Sequence, residues 1–309
     1  MAESIQLYAT CCAICGTYDN ATELYPANFD FAAFNPAIFS ARRLPDRIHY
    51  RLVRCNTCGL VRSDPVADAE TLTHLYVQSS FDYGAEVASL RRTYGHYLAK
   101  LRHYGGRSER LLEIGCGNGF LLEEALRRGY KQVYGVEPST EAVAKANARV
   151  RPHIICDIMR PELFDANYFD AVCLFQVFDH IPDPGALLDE CFKVLKPGGL
   201  MLCLNHNVQA VSARLLGERS PIIDLEHTYL YSPSTMSHIV EAHGFKVRQV
   251  GPVFNNYPLH YLTRLLPLPN NIKLPLLDWL GRVPLGRRMR LSVPLGNLYL
   301  IAQKTEVPG

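Results

Sequence analysis

Three glycines at alternate positions, Gly115, Gly117 and Gly119, follow the apolar run Arg110-Leu111-Leu112-Glu113-Ile114. Phe120-Leu121-Leu122-Glu123-Glu124-Ala125-Leu126 then reads as a helix. Glycines at a strand end permit a sharp turn and let a ligand lie against main-chain atoms. A second strand, Gln132 to Val136, ends in the carboxylate of Glu137, 18 residues after Gly119. An acid at that tip can accept two hydrogen bonds from a ribose diol. The two segments together describe a site for a nucleoside cofactor.

Spacing narrows the choice of nucleoside. A dinucleotide loop favours Gly-x-Gly-x-x-Gly, with a pyrophosphate at the helix end. Here the pattern is Gly-x-Gly-x-Gly, preceded by the acid Glu113. A carboxylate there repels phosphate and suits a cationic amino-acid group. S-adenosylmethionine (SAM), with an ammonium, a sulfonium and no phosphate, meets that description. Glu113-Ile114-Gly115-Cys116-Gly117-Asn118-Gly119 closely resembles the first motif of the class I SAM-dependent methyltransferases. The resemblance extends over roughly residues 90 to 253 and the last strand, and implies an enzyme that transfers a methyl group.

The elements that must carry these residues follow in order. His153 to Ile158 reads as a third strand ending near Asp157, which is placed to accept the adenine amino group. Tyr168 to Val177 is a continuous apolar run, as expected of a parallel strand buried on both faces. Phe178 to Pro184 reads as a loop because two prolines in three residues disfavour a strand or helix interior. Its His180-Ile181-Pro182-Asp183-Pro184 matches the His-x-x-Asp-Pro common in the family. Leu187 to Leu195 has helical spacing and Lys196-Pro197-Gly198-Gly199 stops it. Leu200 to Leu204, Phe245 to Val253 and Asn297 to Gln303 complete the strands. This alternation predicts an α/β fold, a doubly wound Rossmann-like methyltransferase sheet with its ligand at the strand ends. The cofactor set is Glu113, Gly115, Cys116, Gly117, Gly119, Glu137, Pro138, Asp157, Ile158, Phe175 and Gln176.

A second chemistry precedes the sheet. Cys12-Ala13-Ile14-Cys15-Gly16 and Cys55-Asn56-Thr57-Cys58-Gly59 are two Cys-x-x-Cys-Gly turns, separated by 39 residues. Each aims two thiolates at one point, and two such turns complete a tetrahedral zinc site. No open ligand position is apparent, so the zinc is expected to be structural. Ten cysteines without an export signal read as reduced thiols or metal ligands rather than disulfides.

Arg51-Leu52-Val53-Arg54-Cys55-Asn56-Thr57-Cys58-Gly59-Leu60-Val61 is similar to the second half of the zinc lobe in bacterial sugar methyltransferases. In those enzymes the lobe closes over the acceptor. Asp224-Leu225-Glu226-His227-Thr228-Tyr229 resembles their Glu-His motif, with Asp224 in place of an aromatic residue; a helix from Ser234 to His243 follows. His180 and Tyr76 fall near their active-site histidine and tyrosine. The resemblance implies His227 as the base that activates the acceptor, oriented by Glu226, with His180 and Tyr76 assisting. A sugar-nucleotide or glycan acceptor, methylated at a hydroxyl or carbon, is the expected substrate class. An RNA or protein methyltransferase that uses its zinc lobe for macromolecular recognition is the alternative, and a non-catalytic SAM-binding protein is the third.

Composition agrees with this organisation. The 309 residues, 48% apolar, allow one large domain and one small: a zinc lobe over residues 1–75 and a methyltransferase domain over 76–309. A net charge of +2 gives no overall drive toward nucleic acid. No basic-then-apolar leader and no stretch of about 20 apolar residues is present, so a cytoplasmic protein is expected. An insertion over 254–296 is expected to form a lid. Within Tyr257 to Gly296, six basic residues stand against one acid, beside the sole tryptophan, Trp279. Such a segment also suits contact with an anionic membrane surface or a lipid-linked substrate.

Overall fold

The computed structural model describes residues 6–28, 48–68, 71–72, 77, 87–259, 263, 269–283 and 290–305. Tyr76 and much of the insertion's basic segment lie outside these described residues. Among the described residues the N-terminal part contributes the short strands β1 (Leu7–Tyr8), β2 (Ala21–Tyr25), β3 (Leu52–Cys55), β4 (Val61–Ser63) and β5 (Val66–Ala67). Then come α1 (Val87–Lys100), β6 (Arg110–Ile114), α2 (Phe120–Arg127), β7 (Gln132–Val136), α3 (Thr140–Ala144) and β8 (Ile154–Ile155). They are followed by β9 (Phe169–Phe175), α4 (Pro184–Val194), β10 (Leu195–His206), α5 (Val211–Leu216), β11 (Tyr229–Leu230) and α6 (Pro233–Ala242). The chain continues through β12 (Phe245–Pro252), β13 (Asn255–Pro258), α7 (Asn270–Arg282), β14 (Arg290–Val293) and β15 (Asn297–Lys304).

Seven strands make the central sheet, in the order β12-β15-β10-β9-β6-β7-β8. β8, β7, β6, β9 and β10 run parallel, while β15 runs against β10 and β12. Every residue of β9 is buried because helices cover both faces of the sheet, which is why its sequence is nearly all apolar. Alternate side chains of β10 divide between the two cores. Leu200, Leu202 and Leu204 pack with Tyr97 and Leu98 of α1 and Leu121 and Ala125 of α2. Met201 and Cys203 pack with Leu188 and Cys191 of α4 and Ile239 and Val240 of α6. The expected doubly wound α/β architecture is present.

Some boundaries differ from the sequence expectation. Lys196-Pro197-Gly198-Gly199 does not form a separate connection. It is absorbed into β10 as an irregularity, between the pairs Leu195↔Phe169 and Leu200↔Ala171. Conversely, the third strand stops at Ile155, short of Asp157. Pro184 belongs to α4, at a first-turn position where its missing N–H costs nothing, and Asp183 caps the helix by accepting from Ala186 N at 3.0 Å.

Among the described residues, the N-terminal strands share their core with the rest of the chain. β11 completes their sheet, in the order β11-β4-β3-β2, although it comes from the far side of the chain. Cys12, Cys55 and Leu60 pack in one apolar cluster with Phe178, Tyr229, Tyr231 and Met236. The described part of the insertion holds the β13–β14 hairpin and α7. Among the described residues no helix is long and apolar enough to cross a membrane.

Candidate active site

The order of strands reverses at β6, which has β7 on one side and β9 on the other. In open parallel sheets ligands bind at the carboxyl ends of the strands beside such a reversal. The glycine loop after β6 lies there, facing the segment after β9. A methyl group built onto Gly115 would fall 2.3 Å from Cγ2 of Val177. Gly115, Gly117 and Gly119 all have positive φ, of 69°, 53° and 70°, conformations that side-chain-bearing residues rarely adopt.

Two buried carboxyl groups border this loop. Glu137 accepts from Gly117 N at 2.8 Å through Oε2 and from Ser139 N at 2.9 Å through Oε1. Each oxygen therefore keeps a lone pair for a further donor. Glu113 is 3% exposed, and its Oε2 has no partner among the described residues. Burial, reinforced by the nearby Glu137, holds the Glu113 carboxyl well above the usual range. Asn118 Oδ1 and Gln176 Oε1 are likewise buried without partners. Gln176 has φ of 56° and is tied by its N–H to Leu204 O at 2.7 Å. Three unmatched acceptors around one loop call for a ligand rich in donors, and an ammonium group supplies three. Asn118 was not singled out from the sequence, since an asparagine between turn glycines reads equally as a turn former.

The other expected cofactor residues are placed less uniformly. Cys116 is buried, and its sulfur would meet a methyl group on Gly135 at 2.5 Å, so these two residues fit β6 closely against β7. Pro138 O receives the Cys156 thiol at 3.8 Å. Phe175 stacks on Tyr94 with ring centres 4.5 Å apart. Asp157 and Ile158 lie past the third strand. Asp157 is paired with Arg160 at 2.9 Å and accepts from Ile158 N at 2.8 Å, and Arg160 holds its carboxyl below the ordinary range.

Beside this loop stands a cluster of three imidazoles around one carboxylate. Asp179 is fully buried; its Oδ2 lies 2.7 Å from His206 Nδ1 and 3.8 Å from His227 Nε2. His180 Nε2 approaches Asp179 Oδ1 at 3.7 Å. The His227 ring lies 4.6 Å from both the His180 and the His206 ring. The carboxylate closest to His227 is Asp224, in ion-pair range of Nδ1 at 2.7 Å without the alignment of a hydrogen bond, and not the neighbouring Glu226. Glu226 meets the cluster through its carbonyl oxygen, 3.1 Å from His180 Nδ1. Burial opposes charge on His227, but Asp224 and Asp179 outweigh it and raise its pKa to about 9. Burial lowers that of His180 to about 4, the nearby Asp179 notwithstanding. The cluster thus pairs a charged ring with a neutral one. His206 and Asp179 escaped the sequence reading because their meeting depends on the pairing of β9 with β10.

The four cysteines also converge. Sγ atoms of Cys12, Cys15, Cys55 and Cys58 all lie within 4.8 Å of one another, with Cys12 and Cys58 at 3.4 Å and Cys15 and Cys55 at 3.9 Å. A tetrahedral zinc with sulfur at about 2.3 Å separates its ligands by about 3.8 Å, so the set fits that ion. Each turn is closed alike: Gly16 N donates to Cys12 O and Gly59 N to Cys55 O, at 2.8 and 3.0 Å. The buried Arg62 donates to Thr10 O at 3.1 Å and Tyr18 O at 2.6 Å, on either side of the first turn. Hydrogen bonds join this lobe to the histidines. Ser63 Oγ donates to His227 O at 2.8 Å, Ser63 N to Thr228 O at 2.9 Å, and Tyr229 OH to Cys11 O at 3.1 Å.

Comparison with known proteins agrees with this geometry. The methyltransferase domain family matches residues 87–250, more than half of the chain. The ubiquinone biosynthesis O-methyltransferase of Psychrobacter cryohalolentis is 30% identical over 128 residues, 38% of this chain and 49% of that protein. The protein of the same name from a Bradyrhizobium species is 39% identical over 114 residues, 35% and 45% of the two chains. The chain spans about half the length of the curated relatives it matches. Among solved structures, a SAM-dependent methyltransferase from Archaeoglobus fulgidus aligns with TM-score 0.46 at 20% identity, over 77% of this chain and 100% of that one. With a family match that runs from α1 into β12 and so takes in both the glycine loop and the histidine cluster, this chain belongs to the methyltransferase domain family.

Proposed function

We propose that this methyltransferase moves the methyl group of SAM onto a hydroxyl of a small molecule, and that the acceptor is a sugar nucleotide or glycan. The buried Glu113 carboxyl beside a glycine loop, whose Oε2 has no partner among the described residues, carries the donor assignment. A phosphate-bearing cofactor would be repelled there, whereas the ammonium of SAM supplies both the donors and the countercharge that the pocket lacks. Glu137 is the acceptor for the ribose diol, and Asp157 and Ile158 are assigned to the adenine end. Holding donor carbon and acceptor atom about 3 Å apart supplies much of the rate enhancement.

The acceptor site is assigned to the histidine cluster, with Tyr76 as a further candidate from the sequence. Charged His227 can steady an oxygen as it becomes anionic, and Glu226 holds His180 through its carbonyl. The sugar reading is supported by the lobe of residues 1–75, which braces His227 from outside the methyltransferase domain of 76–309. Zinc held by Cys12, Cys15, Cys55 and Cys58 would cross-link the two turns of that lobe. A second reading, a lipid-borne phenol such as the relatives' name suggests, is favoured by the exposed Ile272, Leu274 and Trp279 of α7. They lie within the basic insertion, whose role is then a lid or a membrane contact.

Calorimetry with SAM and S-adenosylhomocysteine tests the donor, and a screen of nucleotide sugars and catechol with methyl-labelled SAM tests the acceptor. No binding of either nucleoside by the zinc-loaded protein would overturn the assignment. Labelling of catechol alone would select the second reading.

A further inference from the structure

Building on the methyltransferase reading, we propose that His206 is the catalytic base that takes the proton from the methyl acceptor, with Asp179 as its positioning residue. His206 is the last residue of β10, at the carboxyl end of the sheet, two residues beyond Leu204, whose carbonyl holds Gln176 beside the glycine loop. The ring is fixed at two points. Its Nδ1 lies 2.7 Å from Asp179 Oδ2, and its backbone N–H donates to the same oxygen at 3.3 Å. A carboxylate at Nδ1 keeps the proton on that nitrogen and leaves Nε2 with a lone pair, the arrangement of a histidine base oriented by a buried acid. Nε2 of His206 has no partner among the described residues.

Access separates this histidine from its neighbours. The His206 side chain is 24% exposed, against 16% for His180 and 4% for His227. The groups around Asp179 are complementary: His227, between Asp179 and Asp224, carries positive charge, while His180 is held neutral by burial. A charged ring donates a proton and cannot accept one, so His227 suits the stabilisation of the anion and leaves the acceptance of the proton to a neighbour.

The step balances as follows. Nε2 of His206 takes the hydroxyl proton; an electron pair of the acceptor oxygen forms the O–CH3 bond. The S–CH3 bond breaks with its pair returning to sulfur, which leaves S-adenosylhomocysteine. The His206 imidazolium, paired with Asp179, then passes its proton to water.

Long-range proton–nitrogen correlation of histidine-labelled protein loaded with S-adenosylhomocysteine tests the assignment, with His206→Gln identifying the signal. The neutral His206 ring is expected as the Nδ1–H tautomer, with its proton on the nitrogen that faces Asp179, and Asp179→Asn is expected to mix the tautomers. An Nε2–H tautomer would overturn the proposal. Because Asp179→Asn can also unsettle the fold, wild-type reactivity gives an independent measure. Diethyl pyrocarbonate should modify His206 fastest of the three clustered histidines; faster modification of His180 or His227 counts against it. On whichever of catechol or a nucleotide sugar is methylated, His206→Gln should lower kcat at least a hundredfold, as loss of a general base does. Retained turnover would remove His206 from the chemistry. Calorimetry with S-adenosylhomocysteine separates the two levels: unchanged affinity in His206→Gln leaves the donor assignment intact whatever the ring's role.

Discussion

Glu113 illustrates how a binding residue destabilises the protein that holds it. Its carboxyl is buried near Glu137 and is favoured in the protonated form. In the unfolded chain it ionises near the ordinary value, so the folded state loses stability as pH rises from there toward the raised folded value. A cationic ligand reverses the preference, and binding should release a proton. SAM affinity is therefore expected to increase with pH, with the released proton counted by calorimetry in buffers of different ionisation enthalpy. Glu113→Gln should abolish the release and weaken SAM at least tenfold, yet raise the melting temperature of the ligand-free protein by on the order of 2–4 °C. His227 makes the opposite test. Its folded pKa of about 9 exceeds the ordinary 6.5, so its stabilisation is full below 6.5 and is lost as pH rises through 9. Asp224→Asn should flatten the melting-temperature profile between those values, and an unaltered profile would show that Asp224 does not hold the charge.

At the scale of elements, the site depends on loops held by their neighbours. A methyl group at Gly115 would meet Val177 at 2.3 Å while the backbone is held at φ of 69°. Gly115→Ala should therefore displace the glycine loop from the segment after β9, costing about 1–3 kcal/mol in denaturant unfolding together with S-adenosylhomocysteine affinity. The two cysteine turns are coupled to the histidines through β4 and β11. Elemental analysis of the wild type is expected to give one equivalent of zinc, and Cys55→Ser should remove it and lower the melting temperature. Structural zinc contributes on the order of 10 kcal/mol in small modules. Because Ser63 holds the His227 carbonyl, the same substitution should perturb the His227 ring signals.

For the whole molecule, the shared core matters more than the division into lobe and domain. Leu60, Cys12 and Cys55 are each at most 1% exposed and pack against Phe178, Tyr231 and α6. Removing residues 1–68 would uncover that face and strip β11 of its partner β4. The remaining chain is expected to bind a fluorescent apolar dye and to aggregate rather than fold as a soluble monomer; a monodisperse product with a cooperative melt would show that the core is separable. At the opposite extreme, α7 exposes Ile272, Leu274 and Trp279. Cosedimentation with phosphatidylglycerol vesicles should fall in Trp279→Ala if this helix meets a membrane, and equal binding would assign the contact elsewhere.

The amino-acid order alone determined the alternation of strands and helices, the glycine loop, the two acids beside it and the two Cys-x-x-Cys turns. Each of these is local: it follows from hydrophobic period, turn chemistry or ligand spacing within a few residues. Tertiary structure decided which groups meet. Asp224, an apparent departure from a motif, turned out to be the carboxylate nearest His227. Asp179 and His206, 27 residues apart in the chain, came within 2.7 Å. The lobe's sheet took its last strand from Tyr229–Leu230. Contacts of this kind depend on sheet register and on the burial that raises or lowers a charge, neither of which any short stretch of residues encodes.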